Sequence, residues 1–233
     1  MVSIKTSPLR EATLIERVNR FLAVVDLAGL RQYAHVPNSG RLRELLFPGN
    51  CVLVTEKAKG NRKTCWEIVM ATHPSGQLVS VDTRIPNDLV FTAIRLGVIP
   101  ELVGYRECRR EYVFGSSRFD FLLSGDPHRS CLLEVKSVTL VERGVARFPD
   151  APTTRGTRHL TELSHAVENG YRCVVLFLIQ RDDAVKFSAN DSTDPLFAKA
   201  LREAFVRGVE AYAYRCSVSP GIITLEDSVP VVL

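Results

Sequence analysis

The sequence predicts an α/β chain, α+β overall, with two domains: a small OB-like β-barrel over residues 1–82 and a mixed sheet flanked by helices over residues 83–233. The first 80 residues contain about five short β-like segments separated by turn signals, as in a small barrel. From about residue 83 the apolar residues recur at helical spacing. A strand, helix, strand order then follows, which makes a βαβ unit in a helix-flanked sheet.

The predicted barrel strands are delimited by glycine and proline. Turn signals stand at residues 28–29, 37–40, 48–49, 59–61 and 75–76. The segments between them are two in TLIERVNRFLAVVDLAG, then LRQYAHV, CVLVTEK and TCWEIVMAT. Their composition and spacing favour a closed β structure over helices.

One barrel segment, LRQYAHV, has a basic and aromatic face. Alternation places Arg31, Tyr33 and His35 on that face, and it places Leu30, Ala34 and Val36 opposite. Such a face is suited to stacking nucleic-acid bases over a positively charged groove. An equally good interpretation makes Tyr33 an aromatic at the edge of the core, with His35 hydrogen-bonded nearby.

The positive charge of the chain is concentrated in the predicted barrel. Residues 1–82 contain 11 Lys and Arg against 7 acids, whereas residues 83–233 contain 19 of each. Arg41 and Arg43 follow the PNSG turn, and a second group surrounds a predicted hairpin tip: Lys57, Lys59, Arg62 and Lys63. This asymmetry predicts a polyanionic partner, with the arginines contacting phosphates, although a charged turn is also simply well solvated.

The second domain alternates strands and helices. Helical spacing appears in NDLVFTAIRLG and HLTELSHAVENG, and Asp194-Pro195 is a strong helix start. Strands are predicted in EYVFG, RFDFLL and CLLEVKSVTL. RCVVLFLIQ is apolar almost throughout, which is typical of a strand covered on both faces.

Two carboxylates and one lysine interrupt the apolar strands at residues 119–138. If RFDFLL and CLLEVKSV pair symmetrically around Pro127, Asp120 lies opposite Glu134, and Lys136 shares their face. A register slip of one residue would abolish this arrangement. Facing carboxylates repel each other, and a divalent cation such as Mg²⁺ or Mn²⁺ between them reverses that effect. Two carboxylates, a divalent cation and a lysine are the groups that metal-assisted phosphodiester hydrolysis uses. An ion pair of Lys136 with either acid is the alternative.

The arrangement of Asp, then Glu-x-Lys on the next strand, resembles the PD-(D/E)xK nuclease superfamily. Longer blocks resemble the SfsA (sugar fermentation stimulation protein) family in order, namely HVPNSGRL, SSRFDFLL, LLEVKSVTL and FPDAPTTRGTRHLTEL. Ser39 and Ser137 depart from the family's usual Thr and Asn. The resemblance implies an OB-like domain, a PD-(D/E)xK nuclease-like domain, DNA binding and a proposed regulatory link to sugar metabolism, especially of maltose.

The resemblance also implies roles for individual residues. Asp120, Glu134 and the Val135 carbonyl would hold the metal, and Lys136 would assist the attacking water. Superfamily members often add an acid from the preceding helix, for which Glu101 is the first candidate and Glu111 the second. The predicted phosphate contacts of this domain are Ser117, Arg118, Arg155, Arg158 and His159. As alternatives, Arg118 would pair with Asp120, and the residues at the start of the helix, Arg155, Arg158 and His159, would form an ordinary ion pair with Glu162. Asp150 is predicted to cap a turn.

Three functions fit these observations: a metal-dependent nuclease, a DNA-binding regulator of sugar metabolism on a nuclease scaffold, and an RNA-binding module with a structural ion. The partner is predicted to be DNA, double- or single-stranded, and a homodimer is one possible assembly. No apolar run approaches about 20 residues, so no membrane association is expected. The first residues lack the apolar core of a signal peptide, which predicts a cytoplasmic protein.

Overall fold

The computed structural model describes residues 2–58, 64–125 and 129–233. The α-helices are α1 (Ile85–Arg95), α2 (Thr154–Glu168) and α3 (Pro195–Val206), and Pro100–Leu102 forms a 3₁₀ turn. The strands are β1 (Val2–Lys5), β2 (Leu9–Asn19), β3 (Leu22–Leu27), β4 (Leu30–His35), β5 (Cys51–Glu56), β6 (Trp66–Thr72), β7 (Leu78–Ser80), β8 (Glu107–Phe114), β9 (Ser117–Ser124), β10 (Cys131–Val138), β11 (Val141–Glu142), β12 (Val145–Phe148), β13 (Arg172–Ile179), β14 (Lys186–Ala189), β15 (Glu210–Ser219), β16 (Ile222–Val229) and β17 (Val231–Val232).

The predicted five-stranded barrel is confirmed. Strands β4, β3, β2, β5 and β6 follow one another in the sheet, a parallel pairing of β4 with β6 closes the circle, and β7 extends β6. Alternate residues point inward, and among them Leu14, Val25 and Ile68 are fully buried. Within the described residues no helix is long and apolar enough to cross a membrane.

The predicted mixed sheet is confirmed in the second domain. Its seven strands follow the order β1-β16-β15-β13-β10-β9-β8, with β13 parallel to both β10 and β15. Helices α2 and α3 pack on one face, and α1 with residues of β6 covers the other. The apolar run RCVVLFLI forms β13 at the centre, where both faces are buried, as its composition predicts.

The predicted domain division needs one correction. Residues 2–5 fall within the range assigned to the barrel, but β1 pairs antiparallel with β16 at the edge of the large sheet. Pairing between the two ends of a chain has no local signal in the sequence. The C-terminal strands β15 and β16 and the small sheet β11-β12-β14-β17 were not predicted either.

The helix starts are set by side-chain caps. Asp194 caps α3 by accepting from the Phe197 N–H at 3.0 Å, which confirms the predicted start. Helix α2 begins at Thr154, earlier than predicted, because the Thr153 hydroxyl accepts from the Gly156 N–H at 3.0 Å. Asp194 also accepts from the Thr153 N–H at 2.7 Å, so the two helix starts are tied together.

A polar latch joins the barrel to the second domain at the PNSG turn. Asp150, in the loop after β12, accepts from the Leu42 N–H at 3.0 Å, as expected of a turn cap. A Cβ added to Gly40 would lie 2.7 Å from an Asp150 carboxylate oxygen, so a larger residue at this position would displace that carboxylate. Arg17 donates to the carbonyls of Gly40 at 2.8 Å and Arg20 at 2.9 Å. It also donates to the carbonyls of Asn38 and Arg41.

We expect Arg17→Met to lower the free energy of unfolding by about 2 kcal/mol, because it removes charge-assisted hydrogen bonds to several carbonyls. For a chain of this size that corresponds to a fall in Tm of roughly 4–8 °C, measurable by calorimetry. Arg43→Met, at an exposed arginine of the same region, is the matched control and should shift Tm by less than about 2 °C. Equal shifts for the two variants would contradict the latch.

Candidate functional site

The hairpin of β9 and β10 has the register that brings the two acids together. Cys131 pairs with Leu123, Leu132 with Leu122, and Leu133 with Phe121, a pattern symmetric about residue 127. Residues 126–128 themselves lie outside the described ranges. Continuing the register places Asp120 opposite Glu134, as predicted. The backbone ladder ends one pair before them, and their side chains therefore lie at the point where the strands separate.

Asp120 is held by two hydrogen bonds from different elements. Its Oδ1 accepts from the Asn87 Nδ2 of α1 at 2.7 Å, and its Oδ2 accepts from the Val135 N–H of β10 at 2.8 Å. Burial, and then the charge of Glu134, raise the pKa of Asp120 to about 6. The carboxylate is thus fixed in position and destabilised in its ionised form.

Glu134 is almost fully buried, at 4% exposure, and is surrounded by cationic and polar groups. Its Oε1 accepts from the Lys136 Nζ at 2.5 Å and lies 2.6 Å from the His159 Nδ1. Burial raises the pKa of Glu134, but Lys136 and His159 outweigh burial and lower it overall. Arg155 Nε donates to His159 Nε2 at 3.3 Å, so the ring carries its proton on Nδ1 and donates it to Glu134.

The second oxygen of Glu134 indicates a cation site. Oε2 is buried and accepts no hydrogen bond from the described residues, which is costly for an ionised group. Two carboxylates and a backbone carbonyl are hard oxygen donors of the kind that Mg²⁺ and Mn²⁺ bind. In the described part of the chain no cluster of three or more acidic, histidine or cysteine side chains is suited to a metal. The unpartnered Oε2 and the oxygen donors fit a divalent cation, and with so few protein ligands such an ion would keep several waters.

The acids line a cavity of about 600 Å³ between the two domains. The barrel contributes Arg20 and the Asn38–Gly40 turn, and the sheet contributes Asp120, Glu134 and Lys136. Arg155 and the loop of residues 148–154 form another wall. An adjoining cavity of about 420 Å³ shares Arg20 and the turn and extends along cationic side chains: Arg17, Arg41 and Arg43. Both cavities together form one cleft, which we call the basic cleft.

Several predicted residues lie elsewhere. Glu101 accepts from the Tyr214 hydroxyl at 2.7 Å and lines a different cavity, so the structure does not bring it to the two acids. Glu111 is exposed and pairs with Arg118 at 2.7 Å, which leaves Arg118 away from Asp120. Ser117 is buried, so its hydroxyl does not face an open surface.

The residues predicted at the start of α2 have different environments. Arg155 lines the basic cleft and Arg158 is exposed on the helix surface. His159 is 1% exposed and bonded to Glu134, so the predicted phosphate contact is corrected: burial removes the ring from any ligand in the cleft. Glu162, the alternative ion-pair partner of these residues, accepts from the Ser116 hydroxyl at 2.8 Å.

The barrel face of β4 is largely as predicted. Arg31 and Tyr33 are exposed, with Tyr33 at 60%, so Tyr33 is not a core-edge residue. His35 is half-buried, and its Nδ1 lies 3.3 Å from Glu67, as the alternative interpretation proposed. Of the residues predicted on the opposite face, Ala34 and Val36 are buried, whereas Leu30 is exposed at a hairpin tip. Of the predicted loop cations, Lys57 lies 3.7 Å from Glu67, while Lys59, Arg62 and Lys63 lie outside the described residues.

Asn87 and Arg20 are among the site residues that were not predicted. Asn87 holds Asp120 from the preceding helix, the element from which an additional acid was expected. Its neighbour Asp88 pairs with Arg110 at 2.7 Å instead. Arg20 reaches the cleft from the β2–β3 turn, and a cation in a tight turn beside the aromatic Phe21 was the one available signal for it.

Comparison with known proteins identifies the family. The model of the SfsA N-terminal OB domain matches residues 15–81, and that of the sugar fermentation stimulation protein RE domain matches residues 84–221. The chain belongs to the SfsA family. A sugar fermentation stimulation protein homolog of Desulforamulus reducens is 49% identical over 232 residues, which cover 100% of this chain and 96% of that protein.

Other SfsA relatives are similar over their whole length. A homolog from Caldanaerobacter subterraneus is 45% identical, with 97% of this chain and 98% of that protein covered. The solved structure of Pyrococcus furiosus SfsA in complex with Ca²⁺ is 32% identical, has a TM-score of 0.93 and is covered completely, as is this chain.

We expect the stability of metal-free Asp120→Asn, relative to that of the parent chain, to rise with pH. The pKa of Asp120 in the folded protein is raised from its ordinary value to about 6. Protonation of this carboxyl therefore stabilises the fold at low pH, and that stabilisation is lost as the pH rises through about 6. The advantage of the variant over the parent chain should therefore grow by about 2 kcal/mol between pH 4 and pH 8.

Denaturant unfolding at several pH values measures this difference. Asp88→Asn, at an exposed acid of the same helix that holds Asp120, is the control and should show no comparable growth. Adding Mg²⁺ at pH 8 should stabilise the parent chain and not Asp120→Asn. A difference in unfolding free energy between the two chains that is constant with pH would contradict the raised pKa of Asp120.

Proposed function

We propose that this SfsA protein is a Mg²⁺- or Mn²⁺-dependent phosphodiesterase that binds DNA in the basic cleft and cleaves it at Asp120 and Glu134. The observation that carries the proposal is the buried, unpartnered Oε2 of Glu134 beside a second carboxylate. Both acids line a cleft whose other ionisable side chains include arginines from both domains. A polyanion with an embedded phosphodiester matches both features.

Asp120, Glu134 and the Val135 carbonyl would hold the ion. When bound, a divalent cation polarises a phosphate oxygen and lowers the pKa of a coordinated water. The chain's own groups prepare the site for that chemistry. Asn87 and the Val135 N–H fix the Asp120 carboxylate, and His159 holds one oxygen of Glu134 so that the other is left for the ligand.

Lys136 has two uses at this position. Its ammonium lies 2.5 Å from Glu134 Oε1, which keeps the buried glutamate ionised. It also lines the cleft, where a positive charge stabilises the extra negative charge of a pentavalent phosphate. Arg20, Arg41, Arg43 and Arg155 border the same cleft and are placed to hold flanking phosphates.

A relative supports the choice of a hard cation. Pyrococcus furiosus SfsA was solved in complex with Ca²⁺, which binds oxygen ligands such as carboxylates and carbonyls. Ca²⁺ and Mg²⁺ differ mainly in coordination number and rigidity. We therefore propose Mg²⁺ or Mn²⁺ as the working ion of this chain and DNA, double- or single-stranded, as its partner.

A second function is favoured by one observation. Lys136 neutralises the charge of Glu134 without an ion, and the described residues at the site offer two acids rather than three. A protein that only binds DNA, as a regulator of sugar metabolism, would be stable with this arrangement. Such a regulator would use the basic cleft and the exposed face of β4, with Arg31 and Tyr33, for docking.

The two functions differ in a cleavage assay. We expect the protein to nick supercoiled plasmid or to cut single-stranded or branched DNA with Mg²⁺ or Mn²⁺, and not with EDTA. Glu134→Gln and Lys136→Met should each lower the rate at least about a hundredfold, since each removes a group that stabilises developing charge. The matched control is Glu203→Gln, at an exposed acid of α3, which should retain full activity.

Binding measured in the same samples separates the alternatives. The parent chain and Glu134→Gln could both retard DNA in a gel while neither cuts it under any metal condition. That result would select the regulator. Cutting that survives Glu134→Gln would place the activity elsewhere in the sample or the molecule.

A further inference from the structure

An aromatic surface of the barrel continues from the basic cleft. Arg20 lines the cleft, and the next residue, Phe21, is 48% exposed at the β2–β3 turn. The Phe21 ring is stacked on that of His35, with centroids 6.5 Å apart and planes at 22°. Tyr33 precedes His35 by two residues on the same face of β4. We call Phe21, His35 and Tyr33 the aromatic track.

Two of the three rings of the track, those of His35 and Phe21, are held in place. The His35 ring is held by Glu67, whose carboxylate is buried and also pairs with Arg84. The Phe21 N–H donates to Asn19 Oδ1 at 2.9 Å, which fixes the turn that carries the ring. Large exposed aromatic side chains in fixed positions are costly in water and typical of binding surfaces.

The charges along the track match a polyanion. Arg20 lies at its cleft end and the exposed Arg31 at its far end, with Arg41 in the adjoining part of the cleft. Two acids lie beside the track. Asp26 is opposite Arg31 on the neighbouring strand and its Oδ1 accepts from the Gly29 N–H, and the buried Glu67 pairs with Arg84. The arrangement of rings between arginines is that of a surface on which successive bases stack while cations follow the backbone.

The geometry points to a single-stranded segment of DNA as the ligand of the aromatic track. Same-face residues on a strand are about 7 Å apart, so neighbouring rings can each receive one base. The bases of a duplex are stacked on each other and present no free faces to such rings. We propose that the substrate carries an unpaired tail that crosses Tyr33, His35 and Phe21, turns at Arg20 and enters the cleft. This inference rests on the proposed function, because it places the scissile phosphate at the two acids.

The test compares three fluorescent DNAs: a single strand, a blunt duplex, and the same duplex with a single-stranded tail. Binding is measured by anisotropy with the full chain in Ca²⁺. We expect Phe21→Ala and Tyr33→Ala each to weaken binding of the single strand and the tailed duplex about tenfold, and that of the blunt duplex less than about twofold. Phe47→Ala, at an exposed barrel aromatic that lines neither cleft cavity, is the control and should change none of them.

The outcomes separate this inference from the proposed function. Unchanged binding of the tailed DNA, or an equal loss on the blunt duplex, would overturn the track even if metal-dependent cutting is observed. A single-stranded RNA of the same sequence that binds about tenfold more tightly than the DNA would also overturn the track as a DNA site. Loss of tail binding in the variants, with cuts mapping to the tail in the parent chain, supports the track. If the variants lose tail binding but the parent chain cuts no DNA with any metal, the track is retained as a DNA site and its path to the two acids is overturned.

Discussion

The structure around the cleft depends on the cost of placing two carboxylates side by side inside a protein. Asp120 and Glu134 are tolerated because every neighbouring element contributes a compensating group: α1 an amide, β10 a backbone N–H and an ammonium, and α2 an imidazole. Three of the four oxygens are satisfied in this way, and one is not. A core built only for stability would have no reason to keep that oxygen, since apolar replacement of buried charges is often neutral or stabilising.

The barrel and the sheet are joined beside these two acids. Asp150 holds the PNSG turn against the loop after β12, and Arg17 fixes the same turn within the barrel. This turn forms a wall of the cleft. The cations of the adjoining cavity come from the barrel, while the acids come from the sheet. Separating the two domains would therefore leave the acids without the arginines of the adjoining cavity. The DNA-binding cleft that we propose needs both domains.

Local patterns predicted much of this arrangement, and long-range contacts account for what they missed. The symmetry of the hairpin fixed Asp120 opposite Glu134, and Asp194-Pro195 marked α3, because strand alternation and capping act over a few residues. Glu101 was expected by analogy at the acids, but the sheet places it beside Tyr214. The burial of His159 and the pairing of β1 with β16 depend on packing between segments distant in sequence. Neither has a signature in neighbouring residues.

The central claim is that the two carboxylates form a seat for a divalent ion. The most direct measurement is anomalous diffraction from crystals of the full chain grown with Mn²⁺. The account predicts an anomalous peak within about 2.5 Å of carboxylate oxygens of both Asp120 and Glu134. A map with no peak there, in which Glu134 remains paired to Lys136 and the ion binds elsewhere or not at all, would contradict it.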